Sequence, residues 1–312
     1  MIPAQDEDAP LNRPLALVVN AAAGSGEQPQ ELALRELFQS GGLAVRILPA
    51  SSGDELRSIT TSELRERPRM IVAGGGDGTV SAVASLLVGT DTALGVLPLG
   101  TLNHFAKDLR IPMALDQAVA VLAAGHETRI DVGAVNGRTF LNNSSLGIYP
   151  GIVRDRERQQ RSLRRGKRWA LIWATLTVLR RAPFLDVKLV LDGDERSYRA
   201  PFVFIGNNSY AMEGFDVGTR ESLRGGHLSV YVTRRQSRLG LVGLGFRALF
   251  SRLRQARDFE AITAHSVAVR SRHKHLLVAS DGEVTLMETP LEYRSLPRAL
   301  RVVVPAPEAA GS

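Results

Sequence analysis

The sequence predicts two domains: an α/β domain with a parallel sheet, followed by a mainly antiparallel β domain. In the first part, short apolar strands alternate with helical patterns, which is typical of a parallel sheet covered by helices on both faces. After about Asp131, segments with strand character recur between turns, which is typical of an antiparallel fold. The predicted organisation is a disordered lead-in at 1–13, an α/β domain at 14–133, a β domain at 134–305 and a flexible tail at 306–312.

The composition bounds the class of protein. With 312 residues, of which 44% are hydrophobic and 23% charged, the chain can form two globular domains with buried cores. The lack of cysteine excludes a disulfide scaffold, a thiol nucleophile and a Cys-based zinc site. The longest mostly apolar run, residues 169–179, is shorter than the ~20 residues that span a bilayer. The acidic N-terminus lacks the apolar core of a signal peptide, so we expect a cytoplasmic protein.

Four apolar runs of the α/β domain predict strands, and patterns of helical spacing lie between them. The predicted strands are 15–20, 43–48, 70–73 and 93–97, and the predicted helices are 31–38, 53–64, 80–87 and 116–124. Glycine-bearing turns follow the first, third and fourth strands. Because parallel strands end at the same edge of a sheet, these turns are expected to lie together, where ligands of such sheets bind.

The turn after the third strand reads Gly-Gly-Gly-Asp-Gly-Thr at 74–79. Glycines accept positive φ and let backbone amides approach a ligand closely. The start of the helix that follows adds unpaired amides and the positive end of its dipole, which suits a phosphate. The motif is neither a Walker A loop nor a GxGxxG fingerprint. An ordinary βα turn is the alternative, but four glycines in six positions favour a nucleotide phosphate site.

The β domain is predicted from eight short apolar segments with two helical inserts between them. The strands are predicted at 139–146, 185–191, 202–205, 228–232, 261–269, 276–279, 284–287 and 300–304, and the inserts at about 164–181 and 239–257. Asp281-Gly282, which separates two apolar runs, predicts a hairpin with a type I′ turn.

Four ordered segments carry a resemblance to a known family. They are Asn-Ala-Ala-Ala-Gly-Ser-Gly at 20–26, Gly-Gly-Asp-Gly-Thr at 75–79, Pro-Leu-Gly-Thr-Leu-Asn at 98–103 and Ser-Asp-Gly-Glu at 280–283. Asp-Val-Gly at 131–133, Phe-Leu-Asn-Asn at 140–143 and Ile-Gly-Asn-Asn at 205–208 also fall where that family has similar residues. From about 15 to 305, the chain resembles the diacylglycerol kinase catalytic-domain family, which includes sphingosine and ceramide kinases.

The resemblance implies a fold, a reaction and a set of site residues. The fold is a nucleotide-binding α/β domain joined to a β-sandwich, and the reaction transfers the γ-phosphoryl group of ATP to a lipid hydroxyl with Mg²⁺. Implied catalytic residues are Glu283 as the base, with Asp281 and Asp77, and the implied metal ligands are Asp77 and Asp131. The implied nucleotide-binding residues are Asn20, Gly24, Ser25, Gly26, Gly75, Gly76, Asp77, Gly78, Thr79, Gly100, Thr101 and Asn103.

Each of these roles has a structural alternative. Asp77 could cap the helix that it begins, and Asn103 could be a turn residue. The Asp281-Gly282 pair could serve the hairpin alone. Asp131 could form a surface ion pair with Arg129.

The chain departs from the family pattern at three places. His104 stands where relatives often have Asp, and Ser81 stands where they usually have Asn. Some relatives bind a structural Mg²⁺ through an acidic segment of the β domain, whereas the matching segment at 222–227 has no carboxylate. Because divalent cations favour negatively charged oxygen ligands, we expect this second metal site to be absent.

A basic segment suggests where the protein acts. Residues 154–168 hold eight Arg or Lys residues, and both tryptophans follow in the apolar run at 169–179. This combination suits an anionic membrane surface, so we expect peripheral association with a membrane and a lipid substrate there. A solvated loop, or a helix that lines an acyl-chain pocket, is the alternative. Nucleic acid is not expected as a partner because the basic segment has no aromatic residue for base stacking, and a homodimer is left open.

Two other functions compete with a lipid kinase. A soluble kinase related to NAD kinase shares the Gly-Gly-Asp-Gly motif, although the Gly-Ser-Thr-Ala-Tyr segment of that family is missing from the sequence. A lipid-binding protein without catalytic activity would fit the changed residues Ser81 and His104.

Overall fold

The computed structural model describes residues 14–21, 31–147, 184–213, 216–220, 222–233 and 259–306. The chain divides into two compact units. The first unit contains Met1–Thr128 together with Arg301–Ser312, and the second contains Arg129–Leu300. Residues 301–306, near the end of the chain, therefore belong to the same unit as residues 14–128.

The first unit contains a parallel sheet in the order β2-β1-β3-β4. Its strands are β1 (Leu15–Asn20), β2 (Val45–Ala50), β3 (Met70–Gly75) and β4 (Ala93–Pro98). Its helices are α1 (Glu31–Ser40), α2 (Gly53–Arg65), α3 (Asp77–Leu87), α4 (His104–Asp108) and α5 (Leu115–Ala124). All six residues of β3 and of β4 are buried, as expected for central strands covered on both faces. The predicted α/β fold is thereby confirmed.

Four of the helices that accompany this sheet pack against one another in two pairs. α1 contacts α5, whereas α2 contacts α3. The buried side chains of the strands include Leu17, Ile71 and Leu94, each with no exposed surface. The apolar runs of the sequence therefore correspond to strands that lie in the core.

The second unit is built from antiparallel strands. Its strands, two of which extend into the first unit, are β5 (Glu127–Val135), β6 (Arg138–Phe140), β7 (Asn143–Gly147), β8 (Leu185–Leu191), β9 (Asp194–Ala200), β10 (Phe202–Asn207), β11 (Tyr210–Glu213), β12 (Asp216–Arg220), β13 (Leu228–Thr233), β14 (Phe259–Ala264), β15 (Ser266–Ser271), β16 (His275–Ser280), β17 (Glu283–Glu288) and β18 (Leu291–Val303). One sheet has the order β14-β13-β10-β7-β16-β17. In the other, β18, β15, β8 and β9 are neighbours, β5 pairs with β18 and β6 with β5. At its end, β18 pairs in parallel with β4 through Val302 and Leu94.

The core of the second unit is formed by apolar side chains from both of these sheets. Leu146, Val203 and Val278 come from the six-stranded sheet, and Leu189 and Val267 from the other. All five are buried, and they belong to one cluster. This arrangement confirms the β-sandwich that the family resemblance implies.

Some predicted elements of the β domain are wrong in their limits. The strand predicted at 139–146 is two strands, β6 and β7, and the one predicted at 261–269 is β14 and β15, which lie in different sheets. The sequence pattern also misses β9, a charged edge strand, and most of β18. The helical inserts predicted at 164–181 and 239–257 lie outside the described residues. Within the part of the chain that the structure describes, no helix is long and apolar enough to span a bilayer.

Three hairpins of the second unit have the same two-residue turn. Asn136-Gly137 joins β5 to β6, Asp192-Gly193 joins β8 to β9, and Asp281-Gly282 joins β16 to β17. The first residue of each turn has a φ of 46° or 47°, and the glycine has a φ between 80° and 100°. Positive φ at both central residues defines the type I′ turn, which confirms the prediction for Asp281-Gly282.

The first side chain of each turn also binds a distant segment of the same unit. The Asn136 amide accepts from the Glu292 amide (2.7 Å) and donates to the Glu288 carbonyl (3.0 Å). The Asp192 carboxylate accepts from the amides of His265 and Ser266. The residue at the first turn position therefore matches its hydrogen-bond partners. Asn136 faces one donor and one acceptor, which an amide can satisfy, whereas Asp192 faces donors, which suit a carboxylate.

Candidate functional site

The carboxyl ends of β1, β3 and β4 lie at one edge of the parallel sheet. β1 ends at Asn20, β3 at Gly75 and β4 at Pro98, and these three strands are neighbours in the sheet. From β1 the chain passes to β2 on one side and then to β3 on the other, which makes the ends of β1 and β3 a topological switch point. Of the three glycine-bearing turns that are expected to meet, those after β3 and β4 lie together, whereas the meeting with the turn after β1 stays a prediction. Asn20 is half-buried at this edge, whereas Gly24, Ser25 and Gly26 lie outside the described residues.

The glycines of the two later loops let those loops touch. A Cβ atom on Gly100 would lie 2.3 Å from the Cα of Gly76, and a Cβ atom on Gly75 would lie 2.5 Å from the Oγ1 of Thr79. Gly76 is the N-cap of α3 and has no side chain to bond the first amides of that helix. Amides at a helix start suit an anion, so this surface can bind phosphate.

Asp77 and Asn103 hold these loops in place. The Asp77 Oδ1 atom accepts from the amide of Phe105 in the first turn of α4 (2.9 Å). Asn103 is buried with a φ of 49°; its Oδ1 accepts from the Gly100 amide (3.1 Å), and its Nδ2 donates to the Gly100 carbonyl (2.8 Å). Asp77 therefore links two loops, and Asn103 fixes a turn. Their parts in nucleotide or metal binding stay predictions.

The remaining predicted residues of the first unit differ in exposure. Gly78, Thr101 and His104 are exposed, whereas Thr79 is buried and Ser81 is half-buried. Leu102, which lies between Thr101 and Asn103, is 57% exposed although it is apolar. The structure therefore brings Gly75, Gly76, Asp77, Gly100 and Asn103 together, and Thr101 and His104 extend this surface into solvent.

In the second unit, Asp281 and Glu283 lie at the tip of one hairpin. The Asp281 carboxylate accepts hydrogen bonds from three successive amides, those of Leu141 (2.7 Å), Asn142 (2.9 Å) and Asn143 (3.2 Å). Glu283 begins β17, pairs with Ser280 and is exposed. Asp281 thus fixes the hairpin to another segment, and Glu283 is the carboxylate that the hairpin presents. The catalytic roles of both stay predictions.

Asp131 is buried, with 1% of its surface exposed. Its Oδ1 accepts from the Arg298 amide (2.8 Å), and its Oδ2 accepts from the Gly226 amide (2.7 Å). Its own amide donates to the Leu223 carbonyl (2.9 Å). Both carboxylate oxygens are therefore occupied by backbone donors, which is a poor arrangement for a metal ligand.

The segment at 222–227 is held by a histidine. The His227 Nδ1 lies 2.9 Å from the Gly225 carbonyl and can only donate to it, so in the neutral ring Nε2 accepts from the Ser209 hydroxyl (2.9 Å). Within the described ranges, no group of three or more His, Cys, Asp or Glu side chains comes together as a metal site. The expected absence of a second metal site stays a prediction. The expected membrane contact of the basic segment 154–168 and the apolar run 169–179 also stays a prediction, because these residues lie outside the described ones.

Three residues near the hairpin tip are missing from the predicted site residues. Asn207, Tyr210 and Arg220 all donate hydrogen bonds to the segment 141–143. Asn207 belongs to a segment that carries the family resemblance, which was a usable signal. Nothing in the sequence marks Arg220, because a single arginine between turns reads as a surface residue.

Two family models match the chain. Residues 14–135 match the model described as the diacylglycerol kinase catalytic domain. Residues 148–304, half of the chain, match the one described as the YegS C-terminal NAD kinase beta sandwich-like domain. Together the matches cover nearly all of the residues in both units.

Similar proteins come from several bacteria. An Escherichia fergusonii protein named probable lipid kinase YegS is 35% identical over 139 residues, which are 43% of this chain and 45% of the relative. A Klebsiella pneumoniae protein named probable lipid kinase YegS-like is 35% identical over 139 residues, 44% of this chain and 46% of the relative. The chain thus spans about half the length of the curated relatives it matches. Among solved structures, a diacylglycerol kinase from Bacillus anthracis shares the fold, with a TM-score of 0.67 and 20% identity over 94% of this chain and 97% of that one.

Proposed function

We propose, since the chain belongs to the diacylglycerol kinase catalytic-domain family, that it is an ATP- and Mg²⁺-dependent lipid kinase. It transfers the γ-phosphoryl group of ATP to the hydroxyl of a diacylglycerol-like, sphingoid or ceramide-like lipid. The observation that carries the proposal is the contact between the loops at 75–79 and 100–103, where glycines meet beside the start of α3. Phosphoryl transfer depends mainly on holding phosphates in place, and this surface of backbone amides supports that role.

The residues of the first unit bind and orient the nucleotide. The first amides of α3 hold phosphate oxygens, and the contact between Asp77 and Phe105 keeps the two loops in register. Asp77 is the carboxylate that would hold Mg²⁺, since Mg²⁺ is often bound by one or two carboxylates and a substrate. When bound, Mg²⁺ neutralises negative charge on the phosphates. Asp131 is left out of this set because backbone amides occupy both its oxygens.

Glu283 of the second unit takes the proton of the lipid hydroxyl. It is an exposed carboxylate at the start of β17, two residues after the anchored Asp281. A general base needs a fixed position and access to its substrate. Asp281 fixes the position of the hairpin by binding three amides. The exposure of Glu283 gives a substrate access to its carboxylate.

The lipid substrate is proposed to be met at an anionic membrane surface, with the protein peripherally bound. The net charge of +7 supports this proposal, and so does the adjacency of the eight basic residues at 154–168 to both tryptophans. A product assay with labelled ATP, Mg²⁺ and a membrane lipid extract, separated by thin-layer chromatography, tests the function. A labelled lipid supports it. Labelled NADP from added NAD would support a soluble kinase instead, and lipid binding without any product would support an inactive binding protein.

A matched pair of variants makes the test specific to the glycine loops. Asp77→Asn keeps an oxygen that accepts from the Phe105 amide but removes the charge that would bind Mg²⁺, so we expect no labelled lipid from a folded protein. Asp91→Asn changes an aspartate whose side chain is 89% exposed and whose ion pair with Arg301 contributes little, so we expect wild-type activity. Equal activity of both variants would contradict the assignment of Asp77.

A further inference from the structure

The segment Leu141-Asn142-Asn143 joins β6 to β7, and its peptide groups lie between an anion and a cation. Its three amides donate to the Asp281 carboxylate. On the carbonyl side, the Leu141 oxygen accepts from Nη1 of Arg220 (2.6 Å). Successive amides that converge on one anion form a nest, and here the protein itself provides the anion.

Arg220, at the end of β12, is buried, with 6% of its surface exposed. Its Nη2 donates to the side-chain oxygen of Asn142 (3.0 Å), and its guanidinium carbon lies 5.6 Å from the centre of the Tyr210 ring. Burying a charge is costly unless hydrogen bonds and opposite charge compensate for it. The oxygens of the segment 141–143 and the aromatic face provide part of that compensation.

One peptide group connects the two charges. The Leu141 carbonyl, which accepts from Arg220, and the Asn142 amide, which donates to Asp281 Oδ1 (2.9 Å), are the two ends of the same planar peptide unit. The carboxylate therefore faces the positive end of this peptide dipole, and the guanidinium faces its negative end. Both charges stabilise the same orientation of the peptide, and hydrogen bonds in such a chain strengthen one another.

We propose that Arg220 is a positioning residue for the hairpin that carries Glu283. Arg220 fixes the Leu141–Asn142 peptide, this peptide fixes the Asp281 carboxylate, and Asp281 begins the turn that leads to Glu283. The hairpin backbone is tied to the same segment, because the Asp281 amide donates to the Asn143 carbonyl (3.0 Å). The catalytic part of this inference rests on the proposed function, whereas the coupling between Arg220 and Asp281 does not.

A double-mutant cycle measures the coupling without any activity assay. Arg220→Met and Asp281→Asn are made singly and together, and urea unfolding gives their equilibrium constants. Both charges act on one peptide, so their effects on stability should not be independent. We expect the unfolding equilibrium constant of the double variant to differ about tenfold from the value that the two single variants predict, which is within the range found for residues of one network. Arg270→Met, which removes an arginine on β15 whose side chain is 60% exposed, should combine with Asp281→Asn without deviation. Independent effects of Arg220→Met and Asp281→Asn would overturn the coupling.

Arg220→Lys separates positioning from folding, because lysine keeps the charge but loses the two-pronged geometry. We expect faster hydrogen exchange at the amides of Leu141, Asn142 and Asn143, and a lower kcat with an unchanged KM for ATP. Arg270→Lys should leave both readouts unchanged. Wild-type exchange and wild-type kcat in Arg220→Lys would overturn the proposal. If the wild-type protein phosphorylates no lipid but the cycle shows coupling, the proposed function fails while the hold of Arg220 on the hairpin is supported.

Discussion

Replacing Asp192 by Asn tests whether the turn aspartates act mainly as hydrogen-bond acceptors. Asn suits the first position of a type I′ turn as well as Asp does, so the hairpin between β8 and β9 should keep its turn. The change therefore affects only what the side chain binds. In the structure, the Asp192 carboxylate accepts from the amides of His265 (3.0 Å) and Ser266 (2.8 Å) and from the Ser266 hydroxyl (3.1 Å).

The expected loss of stability follows from the hydrogen bonds that Asp192 makes. An Asn side chain has one acceptor oxygen, and its NH₂ group would face a backbone donor. Hydrogen bonds to a charged group contribute about 1.5–3 kcal/mol each, but the Asp192 side chain is 44% exposed, which weakens them. We expect the free energy of unfolding to fall by about 1–2 kcal/mol at neutral pH.

The loss should depend on pH in a defined direction. Burial raises the pKa of Asp192, but hydrogen bonds from His265 and Ser266 outweigh this effect, so the pKa lies below its ordinary value of 3.8. A lowered pKa in the folded state gives a stabilisation that is complete above 3.8 and disappears as the pH falls through the folded value. The difference in unfolding free energy between the wild-type protein and Asp192→Asn should therefore shrink below about pH 4.

Urea unfolding followed by circular dichroism measures both effects, and an unchanged m value would show that the unfolded states are comparable. Asn136→Asp is the reverse control. It replaces a donor by a charged acceptor facing the Glu288 carbonyl, so it should destabilise the protein even though Asp suits the turn. A loss below about 0.5 kcal/mol in Asp192→Asn, or one that is constant from pH 7 to pH 3, would refute the reasoning.

The remaining predictions concern the proposed kinase. Gly100→Ala places a methyl group 2.3 Å from the Gly76 Cα, so the two loops must separate. ATP binding measured by calorimetry should therefore weaken, and wild-type affinity would contradict the proposal that these loops bind phosphate. Glu283→Gln should lower kcat by ~10²–10⁴-fold with little change in the KM for ATP, whereas a change mainly in that KM would mark a nucleotide or metal contact. Changing four arginines of the segment 154–168 to Glu should weaken co-sedimentation with anionic vesicles, at about 1 kcal/mol per residue, and unchanged binding would remove the segment from the membrane proposal. The four are Arg161, Arg164, Arg165 and Arg168.

The sequence predicts elements well where burial is continuous. β3 and β4 are buried at every residue, so their apolar runs are unbroken, and the glycines after β3 mark where the chain must turn. α4 escapes prediction because its five residues are too few to show helical periodicity. β9 escapes because an edge strand exposes charged residues such as Glu195 and Arg196, and these resemble a loop.

The candidate site could be predicted only as far as its residues are neighbours in sequence. Asp281 as a turn residue is evident from the glycine that follows it. Its three amide partners are not, because they lie 138 to 140 residues earlier in the chain. The same partners split the strand predicted at 139–146: the amides of Leu141 and Asn142 turn to the carboxylate instead of continuing a ladder. Asp77 is similar, since its partner Phe105 is 28 residues away.

The turn at Asn136-Gly137 gives the protein a limited chemical lifetime. In an Asn-Gly pair, the glycine leaves the backbone nitrogen unhindered, so this nitrogen can attack the side-chain carbonyl carbon and release ammonia. The product is a cyclic imide, and water then hydrolyses it to aspartate or isoaspartate. Both ends of the Asn136 side-chain amide are hydrogen-bonded, its oxygen to the backbone amide of Glu292 and its nitrogen to the carbonyl of Glu288. This restraint slows the attack as long as β5 and β6 stay paired. Once the reaction has occurred, an acceptor-only side chain faces the Glu288 carbonyl and the restraint is lost. Stored protein should therefore change slowly at this hairpin, with a mass gain of one unit as the sign of the reaction.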